Sequence, residues 1–184
     1  ILQFPHMTEI IDSTLLSPSE QWLIATTVSY WTQEAQIRHE AVLPKNPSEL
    51  FTQMQLGLTA IAFLHSEPVG HITAWHLAQN SYETGTLFVK LDVRNHQIGK
   101  KLIVYHAGNH PDKILKATTK NPFARDAFLA SGYQLGEYQQ VQPLIRQGLC
   151  YDAPCFVAGH SSSFCKHEQN NTCYLLIKNS KYAS

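Results

Sequence analysis

The run Leu87-Phe88-Val89-Lys90-Leu91-Asp92-Val93-Arg94-Asn95-His96-Gln97-Ile98-Gly99-Lys100-Lys101-Leu102 carries the clearest chemistry in the sequence. A strand-like stretch leads into a polar turn, and the turn opens a helix. The first amides of a helix have no partner inside it and point outward. With the positive end of the helix dipole they form a site for phosphate. Arg94, Asn95, His96 and Gln97 in the turn and Ile98, Gly99 and Lys100 at the helix start would supply this site. Gly99 would let a phosphate approach the backbone closely. Read alone, the segment fits an ordinary strand–helix connection equally well.

A second group of reactive side chains is Cys150, Cys155, Cys165 and Cys173, with His160 and His167 among them. Four thiolates, or three with an imidazole, would satisfy tetrahedral zinc. No Cys-x-x-Cys pair is present, so free thiols, zinc and disulfides all stay open, and no metal ligand is assigned. All four cysteines follow Leu149. A fold built on disulfides would spread them more widely.

Local signals predict the elements that position these residues. Ser17-Pro18-Ser19-Glu20 and Asn46-Pro47-Ser48-Glu49 each offer an N-cap, a proline at the first helical position and a glutamate at the third. Asn121-Pro122 opens a third helix, ended by Gly132. The first helix is expected to bury its apolar residues among Trp22, Leu23, Ile24, Ala25 and Val28. Leu58 to Leu64, Val69 to Leu77 and Tyr82 to Val89 read as an antiparallel meander. Ile98 to about His106 reads as a helix burying Ile98, Leu102, Ile103 and Tyr105. Ile114 to Thr118, Tyr133 to Val141 and Cys173 to Lys178 read as further strands. The order ααβββαβαββ implies one α/β (α+β) domain with a mixed sheet.

The chain has 184 residues, which suits a single core. With 14 basic and 14 acidic residues its formal charge is zero, so a nucleic-acid partner is not expected. No apolar run approaches the roughly 20 residues that span a bilayer, and no membrane partner is expected. The start, Ile1 to Met7, has neither a basic stretch nor a long apolar core, so a signal peptide is not expected and the cytoplasm is the expected compartment. Residues 1–7 are read as an N-terminal tail or expression remnant, 8–141 as the core, 142–172 as a cysteine-containing insertion and 173–184 as the last strand and tail.

Two motifs give the sequence a resemblance to the GNAT superfamily of acetyl-CoA-dependent N-acetyltransferases. The family pattern V-x-P-x-x-[RQ]-x-x-G-x-[GA]-x-x-L meets Val89, Arg94, Gly99 and Leu102 in register. Leu91 stands where proline is common, and Gln97 where the first glycine is expected. Further on, Asn121, Ala124, Gly132 and Tyr133 match N-x-x-A-x-x-[LF]-Y-x-x-x-G-[FY]. Phe128 stands at the tyrosine whose hydroxyl can protonate the leaving thiolate.

The resemblance implies a GNAT-like single domain with a mixed, mostly antiparallel sheet flanked by helices. It implies acetyl-CoA as cosubstrate and transfer of its acetyl group to a primary amine by direct attack in a ternary complex. It places the backbone amides of Phe88, Val89 and Leu91 along the cofactor, the Arg94–Lys100 turn on the pyrophosphate, and Asn121 and Phe128 on the cofactor side. Some members carry a catalytic glutamate six residues before the motif valine, the position of Glu83 here. On a regular strand Glu83 would share a face with Gly85, Leu87 and Val89. His71 and His76 are the other candidates for a base or a substrate contact. The acceptor would be a small-molecule or protein amine, and a homodimer is compatible with this reading. The alternative is a CoA-binding sensor or interaction module, zinc-stabilised at its cysteines, in which Gln97 and Phe128 mark weakened catalysis.

Overall fold

The computed structural model describes residues 8–38, 40, 42, 44–94, 96–119, 121–136 and 174–179. In chain order these form β1 (Glu9–Asp12), α1 (Pro18–Ile37), α2 (Pro47–Gln55), β2 (Thr59–Leu64), β3 (Glu67–Ala78), β4 (Ser81–Val89), α3 (Ile98–Asn109), β5 (Ile114–Thr119), α4 (Pro122–Ala130), β6 (Gln134–Gly136) and β7 (Tyr174–Lys178). Short 3-10 turns at Ser13–Leu15 and Leu91–Val93 join neighbouring elements.

The helix starts obey their local chemistry. Ser17 and Asn46 each close a capping box with the glutamate three residues on, which satisfies two orphan backbone amides at once. Asn121 caps α4 by accepting from the amides of Phe123 and Ala124. Beyond α4, Gly132 takes a φ of +88° that a residue with a Cβ adopts at a cost.

The strands form one sheet in the order β1-β2-β3-β4-β5-β7-β6. The β2–β3–β4 meander is antiparallel, as its alternating sequence predicts. β1 adds to its edge and was not legible beforehand, because four residues carry too little periodicity. β4 and β5 are parallel neighbours, joined across α3.

Helices cover both faces. α3 and α4 pack Ile98, Leu102, Ile103 and Phe128 against Ala60, Ile72, Leu115, Ala117 and Leu176. α1 and α2 pack Ile24, Ala25, Val28, Leu50 and Met54 against Ile61 and Phe88. Each such leucine or isoleucine contributes about 1.5–3 kcal/mol on burial. α3 lies close to the sheet because Gly70 has no side chain: a Cβ there would sit 3.0 Å from Leu102 and 3.2 Å from the Phe88 carbonyl.

α1 is rotated from its expected orientation. Trp22 and Leu23 are 48% and 65% exposed. The row Gln21, Ile24, Ala25, Val28, Thr32 and Ala35 faces inward instead. Trp22 then meets Phe51 of α2 edge-on at 5.5 Å. In α3, His106 and Ala107 are buried where the sequence suggested Tyr105, which packs only partly against the core.

Candidate active site

A gap opens in the middle of the sheet. Parallel pairing between β4 and β5 covers only Ser81 with Ile114, Tyr82 with Leu115 and Glu83 with Lys116. Past that point β4 continues to Val89 without β5 pairing, while β5 turns its other edge to β7 through Thr119. Backbone groups of β4 from Thr84 onward therefore line a wedge with its closed end at Glu83 and Lys116.

β4 carries a bulge beside this wedge. His71 pairs with Phe88 but Thr73 pairs with Gly85, so β4 has one extra residue there. Thr86 lies in the bulge with φ +49°, a left-handed conformation that is strained for a β-branched residue. Two side chains of β3 hold it. Trp75 Nε1–H donates to Thr86 Oγ1 at 3.1 Å, and His71 Nδ1 lies 3.1 Å from the Thr86 carbonyl oxygen.

His71 is fully buried, and burial pulls its pKa down to about 4, so the ring is neutral near pH 7. A carbonyl only accepts, so Nδ1 must carry the proton. Nε2 then accepts from the Thr73 hydroxyl at 2.9 Å, whose oxygen accepts from Thr59 at 2.9 Å. A directed chain of hydrogen bonds thus runs from β2 to the bulge.

The register also decides which amides face the wedge. Lys90 N–H donates to Val69 of β3 at 2.9 Å. Amides alternate along a strand, so Phe88 N–H also turns to β3, while those of Val89 and Leu87 turn to the wedge. The family resemblance implies the amides of Phe88, Val89 and Leu91 along the cofactor; of the first two, the register turns that of Val89 to the wedge and that of Phe88 to β3. The Phe88 ring is buried on the α1 side, stacked on Trp31 at 5.5 Å and under Arg94 at 5.5 Å. Leu91 begins the 3-10 turn and is 53% exposed.

The bulge changes the expected facing of Glu83. Gly85 shares its face, but the extra residue brings Phe88 to that side and sends Val89 to the α3 side. Thr118 Oγ1 donates to Glu83 Oε1 at 3.4 Å across the wedge. His76 lies on the opposite face of β3 and bonds the Gln79 carbonyl oxygen through Nε2. His71 is committed to the bulge.

At the open end, Arg94 is anchored twice. Its Nε donates to the Val89 carbonyl at 2.8 Å, and its terminal amine pairs with Glu40 at 2.7 Å. Gln97 is the N-cap of α3 with φ +59° and ψ +16° and gives no side-chain cap bond. That left-handed turn is what the glycine of the family pattern accommodates. His96, Gln97 and Lys100 are exposed, Ile98 is buried in the core, and a side chain at Gly99 would start 3.8 Å from Val89 Cγ2. Asn95 lies outside the described residues.

On the α4 side, the Asn121 side chain is occupied in capping. Phe128 is buried edge-on to Tyr133 at 4.9 Å. The Tyr133 hydroxyl is 3.0 Å from that of buried Thr84, the first β4 residue past the last pair with β5. Burial raises the Tyr133 pKa, so its hydroxyl stays protonated. A separate cavity of about 670 Å³ opens at the other end of β4, lined by Asp12, Trp75, His76, Tyr82, His110 and Lys113 among others.

The four cysteines lie outside the described residues, as do His160 and His167. Among the described residues no group of three or more His, Cys, Asp or Glu could hold a metal. No described helix is long and apolar enough to cross a membrane.

No family model matches the chain, and no curated protein matches its sequence. Solved structures do match. N-acetylglutamate synthase from Neisseria gonorrhoeae, complexed with coenzyme A and N-acetyl-glutamate, aligns at 11% identity and TM-score 0.61 over 96% of this chain, which spans 36% of the synthase. Diaminobutyrate acetyltransferase from Paenibacillus lautus, in complex with L-2,4-diaminobutyric acid and coenzyme A, aligns at 13% identity and TM-score 0.60 over 98% of this chain and 99% of its own. A GNAT-family acetyltransferase from Staphylococcus aureus aligns at 15% identity and TM-score 0.59 over 95% of this chain and 100% of its own. With its parted central strands, the chain has the fold of the GNAT acetyltransferases.

Proposed function

We propose that the chain is an N-acetyltransferase that moves an acetyl group from acetyl-CoA to a primary amine in a ternary complex. The observation that carries this reading is the wedge between β4 and β5, which turns the Val89 amide into the gap beside the start of α3. The pantetheine arm would run along β4 and accept from the amides of Val89 and Leu87. The pyrophosphate would meet the turn from Arg94 to Lys100. The bulge at Thr86 would direct backbone donors at the thioester oxygen, where negative charge develops.

Glu83 stands at the closed end on the α1 side and would take the proton of the incoming ammonium. The neutral amine nitrogen attacks the thioester carbon, the C–S bond breaks, and CoA thiolate leaves. Phe128 has no proton to give. Among the described residues on that side, the Tyr133 hydroxyl could donate a hydrogen bond to the sulfur, and a thiol pKa of about 8.5 lets the thiolate collect its proton from water. The complexes of the Neisseria and Paenibacillus structures with coenzyme A and amino-acid ligands support the same class of acceptor site.

The test is release of CoA thiol from acetyl-CoA with a panel of amines, in the wild type and in Glu83→Gln. Turnover should need an amine, and Glu83→Gln should lose most activity below the amine's own pKa. An unaltered pH–rate profile removes Glu83 from the mechanism. Saturable CoA binding with no turnover for any amine would favour the second reading, a CoA-binding sensor, for which the missing hydroxyl at Phe128 is the specific observation. Metal analysis of the purified protein tests the zinc-stabilised form of that reading.

A further inference from the structure

Lys116 is the one charged side chain that β5 sends into the closed end of the wedge. It pairs in register with Glu83 and lies on the same face. It is 5% exposed. Its ammonium donates to Ser81 Oγ at 3.0 Å. Among the described residues that hydroxyl is the hydrogen-bond partner it meets. Burial accordingly pulls its pKa down.

A buried ammonium whose hydrogen-bond partner among the described residues is a neutral hydroxyl is a costly arrangement. Removing a charge from water costs several kcal/mol, and a nearby anion offsets this only when the two meet in good geometry. A lysine kept in such a place is poised for an anion that arrives with a ligand. Lys45 lies on the same face, 4.6 Å over the ring of Trp75, the β3 residue paired with Glu83.

The two strands therefore place Glu83 and Lys116 at paired positions of the vertex, with the carboxylate turned toward Thr118 and the ammonium toward Ser81. Neighbouring strands lie about 4.8 Å apart. A molecule whose amine meets Glu83 and whose carboxylate, two or three bonds away, meets Lys116 would span them. We infer that Lys116, oriented by Ser81, is the anion-binding residue of the acceptor site, and that the acceptor is a carboxylate-bearing amine of the amino-acid type. This rests on the acetyl-transfer reading above and narrows it to one substrate class.

The experiment compares amino acids with their carboxamide and decarboxylated counterparts as acceptors for acetyl-CoA. The free acids should be preferred in kcat/KM by ~10-fold or more, the equivalent of about 1.4 kcal/mol. In Lys116→Met the preference should collapse through a higher KM for the acids, and Lys116→Arg should restore much of it. Replacing a buried cation with an apolar chain of similar length is commonly tolerated by folding, and the wild-type comparison stands without any variant. Amides or decarboxylated amines used as well as the acids, or a preference that survives in Lys116→Met, would overturn the inference. If no amine is turned over, the transfer reading fails, and calorimetric titration of the CoA-loaded protein still decides the subsite. Binding of acids over amides supports it, and equal or absent binding of both overturns it.

Discussion

His71 Nδ1 lies 3.1 Å from the carbonyl oxygen of Thr86, so a buried neutral imidazole holds the left-handed residue of the β4 bulge. This contact ties a core hydrogen-bond chain to the place where the thioester would lie. It also makes the core sensitive to acid. The His71 pKa is about 4 in the fold against 6.5 for a free imidazole. The unfolded chain therefore binds the extra proton first. Stability from this group is fully present above pH 6.5 and is lost as pH falls toward 4. The loss is on the order of 3 kcal/mol. Denaturant unfolding between these pH values should show the fall, and His71→Gln, which keeps a donor but cannot titrate, should flatten it. His106, lowered by burial to about 3, adds in the same direction. An equally steep fall in His71→Gln would show that other groups set the acid limit.

Gly99 offers a separation of binding from folding. Among the described residues a Cβ there meets Val89 Cγ2 at 3.8 Å, an ordinary contact. Gly99→Glu should therefore fold normally yet weaken CoA binding by ~10-fold or more, because a carboxylate would stand where the phosphates approach. Calorimetric titration with CoA measures this. Unchanged affinity would move the pyrophosphate away from α3.

Gln97 predicts a gain. Its φ of +59° costs a residue with a side chain but not glycine. Gln97→Gly should raise unfolding stability by about 0.5–1 kcal/mol after the extra chain entropy of glycine is discounted. A drop in thermal midpoint would contradict the left-handed turn.

Arg94 and Glu40 should behave as a unit. The pair is 2.7 Å long with side chains 35% and 24% exposed, and it ties the α1–α2 connection to the turn before α3. Arg94→Ala and Glu40→Gln should each cost about 1 kcal/mol or less of stability, reduced further by salt. Both should raise the KM for acetyl-CoA, and the double variant should be no worse than Arg94→Ala alone. Additive losses would mean that Arg94 acts on the cofactor independently of Glu40.

Tyr133→Phe removes the hydroxyl that meets Thr84. It should cost about 1–2 kcal/mol, since the buried Thr84 hydroxyl loses its partner. A fall in kcat with KM for acetyl-CoA little changed would place that hydroxyl at the sulfur. Loss of stability without loss of kcat would leave it a purely structural contact.

What could be read from the residues alone was local. Ser17, Asn46 and Asn121 announce their helices because a cap and its acceptor lie within three residues of one another. The meander announces itself because alternation needs only neighbours. The segment from Val89 to Leu102 offers a candidate anion site, because the exposed amides of a helix start belong to the backbone, though by itself it fits an ordinary strand–helix connection equally well. The rest depends on pairing between distant strands. Only the register of β3 with β4 reveals the bulge at Thr86, and that bulge decides that Phe88, not Val89, shares a face with Glu83. Only the end of pairing at Glu83 and Lys116 opens the wedge and sets the buried Lys116 in register with Glu83. Those residues are 33 positions apart in the chain, and no sequence-local signal links them. Their meeting is set by how α3 returns the chain to the sheet.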